Sequence, residues 1–90
     1  MGREIKLFKS EEKKSRSEIS AFLRQIADRL DQGRVTLCQA ETELILDIPG
    51  TAILEVQVEE EHKANRGIQR SLELEIKWGD GPGDSGLQLG

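Results

Sequence analysis

Apolar and polar residues alternate from Arg3 to Lys9, with Ile5 and Leu7 on one side and Glu4, Lys6 and Phe8 on the other. That two-residue period predicts a half-buried strand. The polar run KSEEKKS interrupts it, and within SRSEI Ser15 and Glu18 stand in the S-x-x-E relation, in which each side chain satisfies the other residue's backbone N–H. A helix is therefore expected to begin there. Ile19, Phe22, Leu23, Ile26, Ala27 and Leu30 recur at steps of three and one and form one apolar stripe, while Glu18, Arg24, Gln25, Asp28 and Arg29 lie off it. Gly33 is placed to take the left-handed conformation that closes the last turn.

Four more alternating segments follow: Val35 and Leu37 in RVTLCQA, Leu44, Leu46 and Ile48 in TELILDI, Leu54, Val56 and Val58 in ILEVQVEE, and finally SLELEIKW. QAE makes a short connection, Pro49 and Gly50 mark a second, and EEHKANRG predicts a longer loop. Short connections favour antiparallel neighbours. The pattern thus predicts an α+β fold in the order β-α-β-β-β-β, with one amphipathic helix on one face of an antiparallel sheet of about five strands. The first strand could lie parallel beside the second or antiparallel beside the last, and the antiparallel placement is preferred. Residues 1–78 are expected to form a single domain. GDGPGDSGLQLG, residues 79–90, is too poor in apolar residues to offset its ordering entropy and predicts a flexible tail.

Composition narrows this picture. Ninety residues leave no room for a second core, and with only Phe8, Phe22 and Trp78 as aromatics the core must be built from Leu, Ile and Val. The single Cys38 excludes an internal disulfide framework and fits a reducing compartment. MGREIKLFKS is charged throughout, no later segment approaches a membrane span, and Lys6 stands where a myristoylation signal requires Ser or Thr. A cytoplasmic protein without a membrane anchor is the expectation. The net charge of −4 is uneven, because residues 1–34 carry nine Lys or Arg against six acids and residues 35–90 carry four against eleven. The two portions are complementary, either within one fold or between copies.

LFKSEEKKSRSEISAFLRQIADRLDQGRVTL, with its SRSEI start and ADRL end, together with the closing strand SLELEIKW, resembles the Amphi-Trp domain family. The resemblance runs from about Glu4 to Trp78 and covers the elements in order. It implies a small prokaryotic domain with an amphipathic last strand ending on Trp, and it supplies no activity, cofactor or catalytic residue to carry over. The EEEHKANRG loop and the Gly-rich tail look individual to this chain.

Candidate chemistry is sparse. Trp78 shares parity with Leu72, Leu74 and Ile76, so an unbroken strand turns it toward the helix as a core residue sealing one end, the alternative being a ligand-stacking aromatic at a pocket there. On the opposite face the alternation places Glu43, Asp47, Glu55, Glu59, Glu73 and Glu75 with only Lys6 and Lys77 as bases. Such a face repels phosphate and lacks stacking aromatics, which argues against nucleic-acid binding through the sheet. A convex row of carboxylates also lacks the convergence that Ca²⁺, Mg²⁺ or an acid–base pair requires, so it reads as a solubilising surface.

That same face is expected to hold Phe8, Cys38, Ile45 and Ile53, which would form a homodimer surface if strand order brings them together. His62 is expected in a solvated loop without metal partners, and Cys38 as a packing residue rather than a nucleophile. Lys13, Lys14 and Arg16 gather at the helix start as an anion-binding candidate, diluted by Glu11 and Glu12. The glycines of GDGPGDSG lack the following helix that a phosphate loop needs. No nucleophile–base set, metal set or cofactor motif is present in the sequence. The residues therefore predict a noncatalytic interaction or structural module that meets a protein partner or a second copy through the outer sheet face or an exposed edge strand. The alternatives are a small-molecule or enzymatic site near Trp78, and weak nucleic-acid or anion binding through the basic stretch.

Overall fold

The computed structural model describes residues 2–79. The chain divides into two compact units, Met1–Ile48 and Pro49–Gly90. The first contains α1 (Arg16–Gln32), β1 (Arg34–Gln39) and β2 (Thr42–Asp47), and the second contains β3 (Ile53–Lys63) and β4 (Gly67–Lys77). The fold is α+β, with one helix and four antiparallel strands in two two-stranded sheets, β1–β2 and β3–β4.

The helix forms where the polar signals put it. Ser15 caps it in extended conformation, its hydroxyl accepting from the Glu18 N–H at 3.0 Å while the Glu18 carboxylate accepts from the Ser15 N–H at 3.0 Å. This reciprocal box satisfies two donors that the first turn would otherwise leave free. At the other end Gly33 adopts φ 81 and its N–H donates to the carbonyls of Arg29 and Leu30. A side chain there would strain the backbone, so glycine permits the abrupt change from helix to strand one residue later. The Ile48 N–H returns to the Gly33 carbonyl at 2.9 Å and ties the end of the hairpin to the helix terminus.

Alternation in β1–β2 becomes alternation in burial. Arg34, Thr36 and Cys38 oppose Asp47, Ile45 and Glu43 on an exposed face. On the other face, Val35 is buried to 5% exposure, and Leu37, Leu44, Leu46 and Ile48 are half-buried. α1 packs on β1, and along its stripe Ile26 and Leu30 are half-buried whereas Ile19, Phe22 and Leu23 remain about half exposed. The small core of this unit thus sits beneath the C-terminal half of the helix.

β1 and β2 are joined by Ala40 and Glu41 between the paired residues Gln39 and Thr42. Ala40 has φ 53, a left-handed value that suits the twist of a tight hairpin but crowds an L side chain. In the second unit eleven pairs run from Ile53↔Lys77 to Lys63↔Gly67. Its turn is closed by the Arg66 N–H donating to the Lys63 carbonyl at 3.1 Å, and Gly67 follows at φ 77.

Two expectations are corrected here. Arg3–Lys9 belongs to no strand among the described residues, where the order is α-β-β-β-β and the strands pair as two two-stranded sheets in place of the five-stranded one expected. Alternation supplies the side chains for a strand, but the backbone becomes one only when a neighbour completes its hydrogen bonds. EEHKANRG is not a long loop either: β3 continues through His62 and Lys63, leaving a turn at residues 64–66. Its charged residues reach solvent from a ladder as readily as from a loop, and only Asn65 and Gly67 were true turn signals. The predicted tail falls, from residue 80 onward, outside the described residues.

Candidate functional site

The second unit has two chemically distinct faces. Leu54, Val56 and Val58 stand opposite Ile76, Leu74 and Leu72 on one of them. Five of these six are 54–70% exposed and Ile76 is at 36%, since within this unit a two-stranded hairpin supplies no second layer. Farther toward the turn this face carries the Glu60↔Arg70 and His62↔Ile68 pairs. Glu60 holds both neighbours, accepting from Arg70 Nε at 3.2 Å and lying 3.1 Å from His62 Nε2. His62 is consequently a strand residue tied to a carboxylate, not the loop residue expected.

The other face of the hairpin is acidic. Glu55, Gln57 and Glu59 lie across from Glu75, Glu73 and Ser71. An open depression of about 340 Å³ lies among Glu55, Gln57, Glu73, Leu74 and Glu75, and Trp78 does not line it. A hydrogen bond with Glu59, and then that neighbour's charge, raise the Glu73 carboxyl above its ordinary value. Two carboxylates this close compete, and the protonated form is favoured on one. Lys77 Nζ donates to Glu55 at 2.7 Å, which raises the lysine and relieves part of the acidic strip. Among the described residues no group of three His, Cys, Asp or Glu side chains is placed to hold a metal ion.

The expected outward apolar set draws on both units. Cys38 and Ile45 share the exposed face of β1–β2 as diagonal neighbours, since Cys38 pairs with Glu43 and Thr36 with Ile45. Phe8 is half-buried in the segment without a strand, and Ile53 opens β3 in the second unit. Around Cys38 and Ile45, Arg34 Nε donates to Asp47 at 2.7 Å, and Cys38 Sγ lies 4.0 Å from Glu43. The bond to Asp47 raises the Arg34 guanidinium further above its already high value.

Lys13, Lys14 and Arg16 do collect at the start of α1, but Lys14 pairs with Glu12 at 3.5 Å and the Ser15–Glu18 box occupies donors of the first turn. The bond from the Ser15 backbone N–H, followed by that from the side chain and by the charge of Lys14, holds the Glu18 carboxyl below its ordinary range. Trp78 lies half-buried, one residue past the last ladder pair.

The expected alternation does put Leu54, Val56, Val58, Leu72, Leu74 and Ile76 together on one face of the β3–β4 hairpin. The alternation that identifies them is silent on what covers them.

A polar-and-apolar last strand that ends at a single Trp is the feature this architecture keeps intact from the sequence. The chain belongs to the Amphi-Trp domain family, whose model matches residues 1–89. Comparison with curated proteins and with solved structures finds no match. This Amphi-Trp domain has no helix long and apolar enough to cross a membrane among its described residues.

Proposed function

We propose that this Amphi-Trp domain is a noncatalytic interaction module that works through the apolar face of β3–β4. The observation behind the reading is the gathering of Leu54, Val56, Val58, Leu72, Leu74 and Ile76 on one face of a hairpin whose other face is acidic. Isolated two-stranded hairpins are marginal in water, and a long one gains stability when a partner layer removes its apolar side from solvent. The Arg3–Lys9 segment keeps the alternation of a strand and would complete a larger sheet where backbone partners are supplied. A free, exposed Cys38 as the only cysteine fits a cytoplasmic setting.

The test is affinity capture of the tagged chain in its native cells, beside a Val58→Glu, Leu72→Glu variant, with an untagged copy of the same chain present. The reading expects a reproducible set of captured proteins, the untagged copy included in the count, that the variant loses. Equal capture by both chains, or none by either, refutes it.

A further inference from the structure

We draw no further inference here: the strongest candidate, the apolar face of the β3–β4 hairpin around Val56 and Leu74, belongs to the site already described, and nothing in the structure shows what covers it.

Discussion

Replacing Ala40 with glycine should make the β1–β2 hairpin more stable, against the usual effect of adding a glycine. Ala40 occupies φ 53 in a two-residue turn, is exposed, and neighbours Glu41, which has no positive φ. An L side chain in the left-handed region costs about 1–2 kcal/mol. Glycine removes that cost but gives the unfolded chain more freedom, which returns about 0.4–1 kcal/mol. At the middle of those ranges the net gain is about 0.8 kcal/mol, or a rise of roughly 3–6 °C in the midpoint for a chain of this size.

Urea and thermal unfolding followed by far-ultraviolet circular dichroism measure it, with Glu41→Gly as the matched control. That control incurs the same entropy without relieving strain and should lose about 0.5–1 kcal/mol. Gly67→Ala is the mirror experiment. Gly67 has φ 77 and open space where a Cβ would stand, so only backbone strain opposes the change, and a loss of about 1–2 kcal/mol is expected. If Ala40→Gly and Glu41→Gly destabilise equally, the left-handed turn is not the conformation in solution and the argument fails.

Val35→Ala should cost about 1–3 kcal/mol, because it opens a void at the one buried apolar residue described, whereas Thr36→Ala on the exposed face should change stability little in the same unfolding assay. Glu73 titrates above its ordinary 4.5 in the fold, so its contribution is complete below that value and is lost as pH rises through the folded pKa. Glu73→Gln should flatten that loss in stability measured against pH, and an unchanged profile refutes the Glu59–Glu73 contact. Glu18 shifts the other way: its contribution is present above 4.5 and is lost as pH falls through the lower folded value. Ser15→Ala should accordingly weaken the helix signal by about 1 kcal/mol, and Glu18→Gln should remove the acid-side dependence.

Local signals carried most of what could be read from the residues alone. Ser15 with Glu18 marked the helix start and Gly33 its end, because capping depends on groups within a few residues of one another. The four later alternating segments became β1 to β4 for a similar reason: each pair is joined by a short turn, so its partner lies next in sequence. Arg3–Lys9 had the same alternation but no adjacent hairpin partner, and it is the segment that did not become a strand. The site followed the same division. Parity separated the Glu73 and Glu75 side from the Leu72 and Leu74 side correctly, yet parity cannot say whether an apolar side meets a layer of its own chain. Phe8, Cys38, Ile45 and Ile53 were grouped by parity alone, and they fall in two units and one unpaired segment.

The acidic and apolar sides of β3–β4 are best understood together. A hairpin of eleven pairs with two apolar faces would stack indiscriminately, and one with two charged faces would have nothing to hold it against water. Glu55, Glu59, Glu73 and Glu75 make stacking on their side unfavourable, most acutely where Glu59 and Glu73 already crowd each other. Leu54, Val56, Val58, Leu72, Leu74 and Ile76 make covering the other side favourable. Because residues of the two kinds alternate along the same strands, a one-residue slip in register would exchange them, and the turn fixed by Gly67 guards against that slip. The alternation of SLELEIKW is thus a directional device, admitting association on one face and opposing it on the other.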